Sequence, residues 1–164
     1  MKAIVFYRHQ QTDHALVEYN FYDNQFAPSN LVVRKVWMAM LEAVQPALTD
    51  LELEYNDHLL LDKWKGRAGE VLRLLGATSE TIREHRSGEV VVSRSFRAEL
   101  TEERYQFFYE LKDLSLFPHY RLLEGDSERI VSYFNQYVSV RFYGDEEERF
   151  TQILERLHVP FQFR

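Results

Sequence analysis

The 164-residue sequence contains no cysteine, which removes disulfides, thiolate nucleophiles and cysteine-ligated metals together. With 6 Gly and 4 Pro it has little material for flexible linkers. No apolar run approaches the roughly 20 residues of a membrane span. The opening run KAIVFY ends at Arg8 and His9, too soon for a secretory leader. These absences lead to the expectation of a cytoplasmic protein without a membrane partner. Positive charge is also scarce, with 20 Lys and Arg against 26 Asp and Glu and a formal net charge of -6. Broad nucleic-acid binding rests on phosphate neutralisation by cations, so this balance points away from it. It points instead towards a protein partner, and a basic one. What is plentiful is aromatic: 12 Phe and 10 Tyr exceed what a small core needs, and such side chains anchor interfaces.

The clearest pattern lies at the C-terminal end. Val138, Val140 and Phe142 alternate with Tyr137, Ser139, Arg141 and Tyr143, the period of a half-buried strand. Gly144 breaks it, Asp145 and Glu148 form a capping-box pattern, and Phe150, Ile153, Leu154 and Leu157 recur at helical spacing. Pro160 ends that helix, and Phe161 and Phe163 begin a last strand. Earlier, residues 2–7 and 15–22 suit two paired strands. A helix starts at Asn30 with Val33, Val36, Trp37, Met40, Leu41 and Val44 on one face, and a strand alternates Leu51, Leu53 and Tyr55 with Glu52 and Glu54. Asn56 and Asp57 open a long helix that runs to a stop at Gly76, with Gly66 and Gly69 inside it, where close packing against another backbone would explain them. Residues 78–87 suit a short helix and connector, residues 89–100 a strand, and Thr101 caps a helix that Pro118 ends. Residues 119–125 suit a strand, and 126–136 suit either a short capped helix or a strand, the strand being the expectation.

Ser95-Phe96-Arg97 before Thr101-Glu102-Glu103 resembles Ser139-Val140-Arg141 before Asp145-Glu146-Glu147. Two strand–helix–strand units in succession make a split βαβ, or ferredoxin-like, arrangement. The expected class is therefore α+β, with a ferredoxin-like βαββαβ subdomain at 88–164 and an α/β layer or subdomain at 1–87, the two allowed to form one compact domain. In that arrangement the strands carrying Arg97 and Arg141 are central neighbours. Arg97, Tyr137, Arg141 and Tyr143 then share a basic and aromatic patch, the candidate binding surface, unless residues 1–87 cover it. Arg94 has inward parity in its strand and needs either a bulge or a paired carboxylate.

The chemical motifs are few. The run IVFYRHQQTDH resembles the start of the histidine phosphatase family. The resemblance implies His9 as a phosphorylated nucleophile with Arg8 and Thr12 around the phosphate. It covers about five residues: Gln10 stands where the family has glycine, and VVVSRS carries Arg94 where the second histidine would follow. The other reading of this stretch is a solvated hairpin connection. His9, Asp13 and His14 match no recognised metal spacing, and no phosphate loop, nucleophile elbow or cofactor motif occurs. The reading that follows is a small acidic protein-binding module of the kind that serves as an inhibitor or immunity protein against a basic toxin or nuclease. Its alternatives are a phosphoryl-transfer or RNA-processing enzyme using Arg8 and His9, and a structural component of a larger assembly. No metal and no cofactor are expected.

Overall fold

Alternation along the strands builds the core. In the computed structural model, which describes residues 2–164, Ala15–Asn20, Asp50–Tyr55 and Tyr137–Phe142 each bury every second side chain. The strands are β1 (Ile4–Gln10), β2 (Ala15–Asn20), β3 (Asp50–Tyr55), β4 (Arg83–Ser87), β5 (Val90–Glu99), β6 (His119–Glu124), β7 (Ser127–Tyr133), β8 (Tyr137–Phe142) and β9 (Phe161–Phe163). They form one sheet in the order β4-β5-β3-β6-β7-β8-β2-β1-β9, antiparallel throughout except for β1 beside β9. The helices are α1 (Phe21–Asn24), α2 (Leu31–Val44), α3 (Asp57–Trp64), α4 (Ala68–Leu74), α5 (Glu102–Tyr109) and α6 (Glu146–Arg156). Their buried side chains join the inward residues of the strands in a single cluster that includes Trp37, Phe108, Phe150 and Leu154. Trp37 lies at its centre, 1% exposed, and donates its indole N–H to the Phe108 carbonyl at 2.7 Å, as a buried indole must.

Asparagine marks the points where strand becomes helix. Asn56 accepts from the amides of His58 and Leu59 at the start of α3, and its Nδ2 donates to the Val92 carbonyl at 3.1 Å. At the end of β2, Asn20 caps α1, and the buried Asn24 accepts from the Val5 amide and donates to the Val5 carbonyl. One side chain thereby does what the next residue of β2 would have done for β1. Such substitution matters because a buried backbone group without a partner costs about 1–3 kcal/mol.

The α+β class is observed, but the ferredoxin-like arrangement expected at 88–164 is not formed. β3 lies between β5 and β6, and β2 and β1 lie between β8 and β9, so each expected βαβ unit is opened by strands from the N-terminal segment. The strands of residues 2–87 extend and interleave the sheet while α2, α3 and α4 pack on its core face, and position 87/88 falls in the turn of the β4–β5 hairpin. Four local expectations also change. Residues 83–87 are strand, because they pair with β5. The long helix is broken at Lys65, which has φ 55 and ψ -135, and a 3₁₀ turn at Lys65–Arg67 joins α3 to α4. Gly66 meets nothing within 4 Å and Gly69 only the Arg73 guanidinium at 3.5 Å, so close backbone packing does not account for them. Asp145 makes no side-chain cap; Glu146 reaches back instead and accepts from the Tyr143 amide at 2.7 Å.

Candidate binding face of the sheet

Because helices pack on one face only, the side chains of opposite parity form a second, accessible face. The registers arrange it in rows. One row crosses from Glu54 through His119, Tyr133 and Tyr137 to Asn20. The next crosses from Arg97 through Glu52, Arg121, Val131 and Ser139 to Glu18. In the first row the rings of Tyr133 and Tyr137 stack at 5.5 Å and 22°, and His119 meets Tyr133 edge-on at 5.1 Å. Phe134, at the tip of the β7–β8 hairpin, adds a fourth ring 4.6 Å from Tyr133.

The charges around this row do not cancel. Arg121 lies between Glu52 and Glu128, at 2.5 Å from each, so one cation serves two carboxylates. Glu54 has His119 at 3.8 Å. Burial holds His119 below the ordinary histidine value and outweighs the pull of Glu54, so the imidazole is neutral at pH 7 and leaves that carboxylate uncompensated. Glu18 has no ion-pair partner among the described residues; burial raises its carboxyl, with His9 acting against the shift. Burial, then Glu18, Tyr133 and Glu128, raise the Tyr137 hydroxyl. Three negative charges thus flank a half-buried aromatic row, Glu54, Glu18 and the excess one beside Arg121, against Arg141 on the same face, a cation unpaired among the described residues, so the balance there stays negative.

The residues expected to form one patch are dispersed. Tyr137 and Arg141 lie on this face in β8, but Arg97 is four strands away in β5, roughly 19 Å at the usual strand spacing. It is held by Asp50, Asp126 and the Gly125 carbonyl. Tyr143 lies past the end of β8, where its ring covers the Arg129 guanidinium at 4.8 Å and meets the His14 ring at 5.0 Å. Arg141 makes no side-chain hydrogen bond or ion pair among the described residues. Arg94 is paired, with Asp57 and Glu84 at 3.0 and 2.9 Å, which settles its inward parity.

Arg8 and His9, being adjacent in β1, project to opposite faces. Arg8 is bound bidentately by Glu147 and also donates to Gln10, so the two side chains are not brought together. His14 pairs with Asp13 at 2.7 Å. Among the described residues no group of three or more His, Cys, Asp or Glu side chains is placed to hold a metal, and no helix is long and apolar enough to cross a membrane. One nucleophile–base distance does occur: His85 Nε2 lies 2.7 Å from Ser95 Oγ, in a cavity of about 500 Å³ that also takes in Arg83 and Arg97. The other ring nitrogen of His85 has no partner among the described residues to orient it, and both strands there face water.

His119, Tyr133 and Phe134 were not identified from the sequence. The signal available for the first two was parity, since His119 stands opposite Tyr120 and Leu122 just as Tyr133 stands opposite Ser132. Comparison with protein-family models, with curated proteins and with solved structures finds no match.

Proposed function

We propose that the protein acts by binding, holding a basic protein partner against the open face of its sheet at the row His119–Tyr133–Tyr137. The observation that carries this reading is the excess of carboxylate, from Glu18, Glu54 and the Glu52–Arg121–Glu128 triad, around aromatic rings on a face that no helix covers. Negative potential steers a basic partner and rejects acidic ones. Tyrosine faces then attract the guanidinium or ammonium groups that arrive, each contact contributing on the order of 0.5–2 kcal/mol. An inhibitor or immunity protein directed at a basic toxin or nuclease would use such a surface, because its task is to occupy its target.

The test is capture from extracts of the source cell and of its neighbours, with wild type compared to a Glu18→Gln, Glu54→Gln, Tyr137→Ala variant. The expected result is a basic protein retained by wild type, lost from the variant, and released by raised salt. Retention of the same proteins by both, or retention of acidic proteins, would overturn the reading.

A further inference from the structure

The turn that joins β7 to β8 breaks a local rule. Its hydrogen bond runs from the Gln136 amide to the Tyr133 carbonyl at 2.8 Å, and both central residues have positive φ, 41° at Phe134 and 60° at Asn135. Asparagine and glycine fill such positions at little cost; a bulky aromatic residue there is an outlier. Phe134 does not offset the strain by burial, since it remains 43% exposed. Its amide is fixed by the Pro118 carbonyl, so the surrounding chain holds the conformation in place. Strain held in this way clusters at ligand-binding, active and switch sites.

What the strained turn creates is a cleft. Phe134 forms one wall of a cavity of about 160 Å³ whose other apolar walls are Leu59, Leu116 and Pro118. Leu59 is 47% exposed, so its side chain is available to line the cleft. The cleft has room for one leucine- or phenylalanine-sized side chain. It adjoins the binding row directly, because Phe134 contacts both Tyr133 and His119.

We propose that Phe134 is a recognition residue, and that the Phe134–Leu59–Leu116 cleft takes one large apolar side chain from the same basic segment that lies on the acidic row. This rests on the binding reading above, which supplies the charge of the occupant; the cleft supplies its second feature. The segment therefore combines arginine or lysine with a neighbouring leucine, isoleucine or aromatic residue. A strained phenylalanine where Asn-Gly would fit better is then a trade of turn stability for recognition.

The probes are three short peptides, Arg-Leu-Arg-Leu-Arg, Arg-Gly-Arg-Gly-Arg and Glu-Leu-Glu-Leu-Glu, titrated by amide and ring chemical shifts into wild type and into a Phe134→Asn, Asn135→Gly variant. Wild type is expected to bind the first peptide about tenfold more tightly than the second, with shifts at Leu59 and Tyr133, and the third not at all. The variant should unfold at higher denaturant concentration than wild type and lose the preference for leucine while keeping its preference for arginine over glutamate. Equal binding of the two arginine peptides by wild type, or an undiminished leucine preference in the variant, overturns the cleft proposal alone. Binding of the glutamate peptide as well as the arginine ones overturns the basic-partner reading, and with it this inference. A variant less stable than wild type refutes the strain at Phe134.

Discussion

The polar knot at Arg129 is the place where this fold is most open to a quantitative test. Where the β6–β7 register passes from the Leu122–Ile130 pair to the Leu123–Glu128 pair, Arg129 is the extra residue of β7, and it is 2% exposed. Its guanidinium is surrounded by the Glu146 carboxylate, Glu124 at 2.8 Å, the Arg141 carbonyl at 3.2 Å and the Tyr143 ring. Glu146 is itself 8% exposed and also accepts the Tyr143 amide. Arg129→Met keeps the length and volume of the stem but strands the Glu146 charge at the start of α6. Breaking a buried pair from one side costs about 3–5 kcal/mol, and in a chain of this size each kcal/mol lowers Tm by about 2–4 °C. The expected fall is therefore roughly 6–20 °C. Adding Glu146→Gln removes the stranded charge while its amide oxygen still accepts from Tyr143, so the double variant should regain at least half of the loss. Urea unfolding of wild type, both single variants and the double variant gives the coupling free energy, with an unchanged m-value as the check on two-state behaviour. A loss below about 1 kcal/mol in Arg129→Met, or a double variant whose loss is the sum of the singles, would show that the knot is solvated and that burial has been misjudged.

Other consequences are simpler. Gly66→Ala places a methyl group in open space at a position without positive φ, so it should stabilise the protein by about 0.4–1 kcal/mol through the unfolded chain. Gly76→Ala should destabilise it by about 1–3 kcal/mol, because φ is 99° there and the added carbon would lie 2.6 Å from the Ala98 Cβ; comparing their urea midpoints separates the two. Burial raises the hydroxyls of Tyr19, Tyr105, Tyr109 and Tyr120, that of Tyr109 to about 12 with Glu42 adding to the shift. A pKa raised in the folded state means that the unfolded chain loses its proton first. These groups therefore contribute stability that is complete below pH 10 and declines towards about pH 12; urea midpoints that stay level across that window, while tyrosinate absorbance rises, would contradict it.

Much of the local structure is legible in the sequence. Alternation identifies β2, β3 and β8, helical spacing identifies α2 and α6, and Asn30, Asn56 and Thr101 cap the helices they precede. What is not legible is which strands become neighbours. The segment carrying Ser95-Phe96-Arg97 and that carrying Ser139-Val140-Arg141 look alike, and local likeness suggests adjacency. Pairing is decided by side chains far apart in the chain: Leu51 and Leu53 of β3 fit beside Ala98 and Phe96 on one side and Leu122 and Tyr120 on the other. With β3, β6 and β7 all between β5 and β8, Arg97 is separated from Arg141 and the expected patch does not form. The row that replaces it joins residues from β3, β6, β7 and β8, and no single stretch announces it. Phe134 was hidden for a different reason, since residues 126–136 read as one extended segment and a positive φ at phenylalanine is against its propensity.

The edges of the sheet bear on where a partner can dock. An unpaired edge strand is a template for another chain, and proteins blunt it with charge, irregularity or brevity. Here β4 is Arg-Glu-His-Arg-Ser, exposed along its whole length, with a register shift between His85 and Arg86. At the other edge β9 has three residues. Both edges are thus protected by recognisable means, and strand addition is discouraged at each. The middle of the open face has no such protection: its tyrosines, His119 and the strained Phe134 are left accessible beside carboxylates that repel acidic chains. On the proposed binding reading, a sheet with guarded edges and an aromatic row at its centre would meet its partner through side chains rather than backbone. For that reason binding should be sensitive to Tyr137→Ala and to salt, and indifferent to substitutions along β4.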